Sequence, residues 1–512
     1  CASVPEIDLA VESSILASAM WRGAPFQERR RKLHVLADLV REQASTIAEL
    51  VATEQGKPVV EAMNLEVLPA LDHLRYLAEH AREAFTGEAV QPNRPMFAHK
   101  QAYYMYEPVG LVAIVTPYNI PFALPLIQVG AALAMGNAVL LKPSERTPMT
   151  GLRIGELCAE AGFPPGVVNV LPTARGDALY LVSHPKVDKV FLTGTEDTGQ
   201  QVMATAGCMP KPVVLALGGK HPAVVAADAD LDRAARGIVW GAMANAGQNC
   251  GSVERVYVEQ PVAQRFLDKV VEQVDRITMG DPHEPGVDLG PLISEDHRRK
   301  VHRQVTEAVL HGARLVRGGE TPEGPGFFYP PTVVYGPPND CWLLREETLG
   351  PVLPILVVEN VERAILLAND SVYTQTASGW TNSPATAERL MSSLQASVVT
   401  INDVLYPFGE PAATKSGYRM SGLGHAHGIA GLREMCRRRF VSHDTLPAEA
   451  PLAAFPYDDV AERISRSLRD RLHGARATTR MAAWLRLAFQ KRFRARVPRR
   501  FFMHRVSARK RK

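Results

Sequence analysis

The sequence predicts an α/β protein in which a doubly wound, mostly parallel sheet is followed by a second α/β domain. Three observations predict it. Short apolar runs alternate with helix-length segments through the first half of the chain, as crossover units require. The alternation restarts with a fresh set of runs between about residues 220 and 430. The polar motifs fall at the carboxyl ends of the runs, where such sheets bind ligands.

Taken in order, residues 26–55 read as one helix, with Leu33, Leu36 and Val40, then Ile47, Leu50 and Val51, at helical spacing. Gly56-Lys57-Pro58 supplies the stop. After a looser stretch near 91–95, strand-like runs follow at 110–116, 138–141, 167–171, 187–193 and 213–217. Helices fill the gaps near 123–135, 148–161, 175–183 and 198–208. The second set of runs is 255–258, 315–316, 352–358 and 398–401. Beyond about 447 the sequence turns rich in Ala and Arg, and the compact domains are expected to stop there.

Size and composition narrow the function classes. At 512 residues and about 150 residues per domain, roughly three domains are expected. With 46% hydrophobic and 22% charged residues, the chain reads as a globular enzyme rather than a disordered or fibrous protein. Cys1, Cys158, Cys208, Cys250, Cys341 and Cys436 are scattered without a CxxC pair. That excludes a disulfide framework and a zinc cluster, predicts no metal, and favours a reducing, cytoplasmic setting. No apolar run approaches the length of a membrane-spanning helix.

Four segments carry candidate chemistry. In Asn245-Ala-Gly-Gln-Asn-Cys250-Gly251 the cysteine sits among glycines and amides, unlike Cys158 between Leu157 and Ala159. Cys250 is therefore a candidate nucleophile, against the alternative of a structural thiol. In Thr116-Pro117-Tyr118-Asn119 the Asn119 amide follows a strand and can donate to an oxyanion, or simply close a turn. In Lys142-Pro143-Ser144-Glu145, a lysine and a glutamate three apart can hold ribose hydroxyls, or stand in a solvated loop. In Thr193-Gly194-Thr195, running on to Gly199, a strand, glycine turn and helix start can present backbone N–H groups to a phosphate.

Together these segments resemble the aldehyde dehydrogenase superfamily from about residue 20 to about 440. Leu217-Gly218-Gly219-Lys220, Glu346-Glu347-Thr348-Leu349-Gly350-Pro351 and Pro407-Phe408-Gly409 extend the resemblance. It implies that Cys250 adds to an aldehyde, with Asn119 and the Cys250 N–H holding the oxyanion. It also implies nicotinamide dinucleotide contacts from Thr116, Pro117, Lys142, Ser144, Glu145, Gly194, Thr195, Gly199, Leu217, Gly218, Glu347 and Leu349. Glu145 facing a ribose 2′-hydroxyl favours NAD over NADP. By the same analogy Tyr118, Ile120, Leu405, Tyr406 and Phe408 face an aldehyde tunnel.

The implied division is 1–90 with 109–217 as a dinucleotide-binding domain and 218–430 as the catalytic domain. Segments 91–108 and 431–447 form a small β oligomerisation element, implying a homodimer or homotetramer. Residues 448–512 form a basic tail. Relatives carry further residues, including an early strand, before the equivalent of the 26–55 helix.

The chain departs from the family at two places. Hydrolytic members carry Glu-Leu-Gly-Gly-Lys, and the glutamate is the general base for water. Here Ala216 precedes Leu217. The departure leaves three readings: a dehydrogenase whose deacylation is impaired, an enzyme passing its acyl group to a nucleophile other than water, or a catalytically dead binding or scaffold protein. Second, residues 410–418 intervene between Pro407-Phe408-Gly409 and Ser421-Gly-Leu-Gly424-His425. This insertion reads as a surface loop near the substrate mouth, with Glu410 as a conceivable substitute base.

The tail is physically unlike the body. From Arg463 to Lys512 there are 18 Lys and Arg against one acid, Asp470. Residues 480–492 have helical periodicity, with Met481, Trp484, Leu485, Ala488 and Phe489 on one face and Arg486, Gln490, Lys491 and Arg494 largely elsewhere. A basic amphipathic helix suits an anionic membrane surface. No nucleic-acid-binding fold accompanies it, so no specific nucleic-acid partner is expected.

Overall fold

The computed structural model describes residues 2–91, 100–445, 455 and 457–489. It divides into a large unit, Cys1–Ala84 with Pro108–Arg437, and a small one, Phe85–Glu107 with Arg438–Lys512. Two strands, β1 (Glu88–Val90) and β2 (Lys100–Pro108), come first along the chain and pair antiparallel, largely within the small unit.

The large unit opens with helices. Val4–Gly23 buries Ile7, Val11, Ala17 and Trp21, and the Trp21 indole donates to the Leu133 carbonyl at 3.1 Å. The expected single helix over 26–55 is two, Phe26–Glu42 and Ala44–Gln55, broken at Gln43. Periodicity alone hides the break because the buried stripe continues through both. Gly56 closes the second helix with φ +93, a conformation open to glycine.

The first main sheet holds β3 (Leu111–Val115), β4 (Ala138–Lys142), β5 (Val168–Val170), β6 (Lys189–Thr193) and β7 (Val213–Ala216), in the order β7-β6-β3-β4-β5 and all parallel. β3, β4 and β6 are buried along their whole length, so they read as continuous apolar runs rather than alternating ones. The crossover helices are Ala123–Ala134, Pro148–Glu160, Arg175–Ser183 and Glu196–Gly207. The chain winds outward from β3 through β4 to β5, then returns to β6 on the other side. The strand order therefore reverses beside β3, which opens a crevice at its carboxyl end.

The second sheet contains β8 (His221–Val225), β9 (Val253–Glu259), β10 (Arg314–Arg317), β11 (Thr332–Tyr335), β12 (Val352–Val358), β13 (Thr376–Trp380) and β14 (Val398–Ile401). Its order is β10-β11-β12-β9-β8-β13-β14, with β10 alone antiparallel. β8 and β11 were not among the expected strands, although Ala223-Val224-Val225 and Val333-Val334 are short apolar runs buried in the core. β13, with Thr376-Ala-Ser378-Gly379, has little apolar bulk.

Three two-residue strands lie near the end of this unit: β15 (Lys415–Ser416), β16 (Gly422–Leu423) and β17 (His425–Ala426). β16 adds antiparallel to β7, pairing Gly422 with Ala216 and making the first sheet six-stranded. A Cβ at Gly422 would meet the Leu215 carbonyl at 1.9 Å, so only glycine fits there. These folds match the fold class read from the sequence: two parallel-sheet α/β layers and a small β element.

In the small unit β18 (Cys436–Asp444) joins β1 and β2 in a three-stranded sheet. Arg438 pairs with Glu88 at 2.8 Å and Arg439 with Glu107 at 2.6 Å. Of the extended segment expected over 93–107, residues 93–99 lie outside the described residues. Helical structure continues past 447, with Asp459–His473 packed against Ala477–Phe489. Ala483 and Leu487 are the buried positions of the second helix, and Met481, Leu485 and Phe489 of the expected apolar face are exposed, at 46%, 46% and 81%. Gln490, Lys491 and Arg494 lie outside the described residues.

Candidate active site

The crevice at the carboxyl ends of β3, β4, β6 and β7 runs on toward β13 and β14. Cys250 reaches its wall from a tight turn. Asn245, Ala246 and Gly247 all take positive φ, at 58°, 52° and 70°. A Cβ at Gly247 would lie 2.1 Å from the Gly350 carbonyl, so glycine is required. The turn is tied down on both sides. Glu61 accepts the Asn245 N–H at 2.9 Å, and the Asn245 amide donates to the Asn119 carbonyl at 2.9 Å. Burial pushes the Glu61 carboxyl up to about 7.

Cys250 is half-buried on the cleft wall. Burial raises its thiol, and the positive charge of Lys415 and a hydrogen bond from Gln375 pull the other way. Gln375 in turn contacts His221 Nε2 at 3.1 Å, and the second ring nitrogen of His221 meets the Ser252 carbonyl at 2.9 Å.

Asn119 is held by its backbone, leaving its side chain for chemistry. Its carbonyl accepts from Lys57 Nζ at 2.9 Å and from Asn245. Lys57 is itself paired with Glu66 at 2.6 Å, both side chains fully buried. The other Glu66 oxygen accepts the N–H groups of Phe122 (3.1 Å) and Ala123 (2.7 Å) at the start of the Ala123–Ala134 helix. The Asn119 carboxamide, on the same cleft wall as Cys250, has a buried Oδ1 without a hydrogen-bond partner.

The sequence-selected cofactor residues fall largely on this wall. Thr116, Pro117, Lys142, Ser144, Glu145, Gly194, Thr195, Leu217, Gly218, Glu347 and Leu349 all line the cleft, as does Ala216. Gly199 does not. It abuts Leu217, which a Cβ there would meet at 2.6 Å, so it serves close helix–sheet packing. Among the expected tunnel residues, Tyr118, Leu405 and Phe408 line the cleft. Ile120 is buried in the core, and Tyr406 is exposed and off the wall.

Glu347 depends on a second buried pair. Lys220 meets Glu254 at 2.6 Å and the Thr348 hydroxyl at 2.7 Å, and Glu254 accepts the N–H groups of Thr348 and Leu349 at 3.0 Å. Glu347 accepts the Gly219 N–H at 3.1 Å and presses on Gly218, where a Cβ would lie 2.2 Å from its oxygen. Burial, helped by the charge of Glu254, pushes the Glu347 carboxyl up to about 7.

The wall fits a dinucleotide. Thr195 caps the Glu196–Gly207 helix, whose amino end opens on the cleft. The Thr116 hydroxyl is buried with no protein partner, as a group awaiting a ligand atom would be. Among the described residues no cluster of three or more His, Cys, Asp or Glu is arranged to hold a metal.

A profile of the aldehyde dehydrogenase family matches residues 1–441. The chain belongs to the aldehyde dehydrogenase family. This aldehyde dehydrogenase is 36% identical over 440 residues to the peroxisomal aminoaldehyde dehydrogenase 1 of Pisum sativum, a match covering 84% of this chain and 86% of that protein. It resembles the solved NAD-dependent aldehyde dehydrogenase of Sinorhizobium meliloti with a TM-score of 0.85 at 34% identity, over 88% of this chain and 89% of that one. An NADP dependent enzyme of E. coli matches with a TM-score of 0.82 at 31% identity, over 86% and 90%. Relatives of the aldehyde dehydrogenase thus include users of either nicotinamide cofactor.

The sequence reading missed Lys57, Glu66, Lys220, Glu254 and Lys415 as site residues. A charge inside an otherwise apolar stripe, as at Glu66, is the one signal that could have pointed to them.

Proposed function

We propose that the protein oxidises an aldehyde to a carboxylate through a covalent thioester on Cys250, with NAD as acceptor and slow deacylation at neutral pH. The single observation that carries the reading is the shared wall: a half-buried Cys250, the Asn119 carboxamide and a methyl group at Ala216. The Cys250 thiolate adds to the aldehyde carbon, and the oxyanion takes hydrogen bonds from the Asn119 amide and the Cys250 N–H. NAD, when bound, takes up the hydride. Lys142, Ser144 and Glu145 hold its adenosine ribose, Gly194 and Thr195 its pyrophosphate, and Glu347 its nicotinamide ribose. Glu145 favours a free 2′-hydroxyl over a 2′-phosphate. Water must then cleave the thioester, and Ala216 offers no base, a deficit of about 10²–10⁴ in rate.

Rapid mixing with NAD and a panel of aldehydes tests this. The expected trace is a stoichiometric NADH burst followed by slow turnover, the burst absent in Cys250→Ala and the turnover faster in Ala216→Glu. No burst with any aldehyde would favour a catalytically dead scaffold. Turnover restored only by an added thiol would favour acyl transfer to a nucleophile other than water.

The reading includes a homodimer or homotetramer assembled through the three-stranded sheet, and a cytoplasmic setting. The exposed Met481, Leu485 and Phe489 among arginines also support peripheral contact with an anionic membrane. Co-sedimentation with anionic liposomes, lost on deleting residues 463–512, is the expected result.

A further inference from the structure

The insertion after Pro407-Phe408-Gly409 is built into the cleft rather than looped off it. Glu410 turns to the Tyr406 hydroxyl (3.0 Å) and the Ala412 N–H (3.1 Å), away from the cleft wall. The Gly428 N–H donates to the Pro411 carbonyl at 3.0 Å. β15 pairs with β17, Lys415 opposite Ala426, and Ser416 is fixed to the Ser397 hydroxyl at 2.9 Å. Pinned in this way, Lys415 lies on the cleft wall that carries Cys250 and Ala216.

The Lys415 ammonium lies 4.3 Å from the centre of the Phe408 ring and has no carboxylate partner among the described residues. The titratable group its charge acts on is the Cys250 thiol. The other titratable groups facing it are His427 and His73, both held neutral by burial. The carboxylates on the cleft wall are Glu145 and Glu347, and Glu347 is engaged by the Gly219 N–H.

We propose that Lys415 is the acid–base group of this site: its ammonium favours the Cys250 thiolate against burial, and its neutral amine then takes a proton from the water that cleaves the thioester. The proposal rests on the thioester reading above and concerns its last step. Burial lowers the Lys415 amine to about 8, and only the negative charge of Cys250 opposes that shift. Forming the thioester removes that charge, so the ammonium releases its proton to solvent. The water oxygen then bonds to the acyl carbon, one water proton passes to Lys415 Nζ, and the carbon–sulfur bond breaks. The products are a carboxylate, one further proton to solvent, and the thiolate–ammonium pair restored. The oxidant for the first half-reaction is the nicotinamide dinucleotide.

Two variants separate the two roles. Lys415→Arg keeps the charge but cannot act as a base near neutral pH. Lys415→Met loses both. The thioester is loaded in two ways, by aldehyde with NAD and by p-nitrophenyl acetate, which needs no hydride transfer. In the unmutated protein, deacylation should rise with pH to a plateau, with an inflection at or below about 8. Lys415→Arg should slow deacylation about 10²-fold and replace the plateau with a continuing rise in hydroxide, while Cys250 is alkylated at the normal rate. Lys415→Met should in addition slow iodoacetamide alkylation of Cys250 at pH 7 by about tenfold. An arginine variant that deacylates like the unmutated protein, with the same inflection, would overturn the base role. Unchanged alkylation in the methionine variant would overturn the thiolate role. Borohydride trapping of the aldehyde on Lys415 would show a nucleophile instead and overturn both. A missing NADH burst beside a normal ester-loaded thioester would count against aldehyde oxidation and leave the test of Lys415 intact.

Discussion

Two regions of this molecule use lysine in opposite ways. Behind the cleft, Lys57 and Lys220 each sit fully buried against a glutamate at 2.6 Å, and their remaining donors go to the Asn119 carbonyl and the Thr348 hydroxyl. On the wall, Lys415 has an aromatic ring and a thiol beside it and, among the described residues, no carboxylate partner. The same side chain is a brace where its charge is matched, and a titrating group where it is not. A buried ammonium without a carboxylate is pushed by burial toward the pH at which it can move a proton.

The comparison breaks most visibly if the braces prove dispensable. Glu66→Leu leaves the Lys57 ammonium buried and unpaired and should cost about 3–5 kcal/mol in urea unfolding. Adding Lys57→Met should recover much of that stability without restoring the burst, because the Asn119 carbonyl has then lost one of its two donors. Next in size is Asn119→Ala. It removes an oxyanion donor but no brace, so acylation should slow about 10²–10³-fold with the unfolding midpoint little changed.

A third measurement uses the histidines beside Lys415. Burial, the dominant cause, lowers His73 to about 4, so the unfolded chain binds a proton there that the folded chain refuses. Stability is therefore lost as pH falls from about 6.5 toward 4, by at most about 3 kcal/mol, and His73→Gln should flatten that part of the profile. The smallest effect concerns cofactor choice. Glu145→Gln removes a negative charge from the wall shared with Lys142 and Arg146, and should shift the ratio of NAD to NADP specificity toward NADP by about tenfold.

Much of the fold was legible because it is written in local periodicity. β3, β4 and β6 are covered on both faces and read as continuous apolar runs. Helices such as Pro148–Glu160 begin at a proline, which suits a first helical turn. β13 was not legible, since Thr376-Ala-Ser378-Gly379 offers little apolar bulk, whereas β8 and β11 were passed over because their buried runs are only two or three residues long. The break at Gln43 was hidden for the converse reason, a buried stripe that runs on through a change of direction. At the site, Cys250 among glycines and Asn119 in a turn between prolines at a strand end stood out. Gly199 stood out too, but it packs against Leu217 rather than facing the cleft.

The sequence by itself determined the α/β layering, the cysteine candidate and the methyl group that stands at Ala216 before Leu217-Gly-Gly-Lys220, because each depends on residue type and local spacing. Only the tertiary structure decided which charges face one another. Residues 410–418 read as a surface loop and as a source of one glutamate. Strand pairing instead turned Glu410 away and carried Lys415 to Cys250, 165 positions earlier in the chain. Pairing of that kind depends on long-range register, and burial then sets the proton affinity. Neither quantity is encoded in any short stretch of residues.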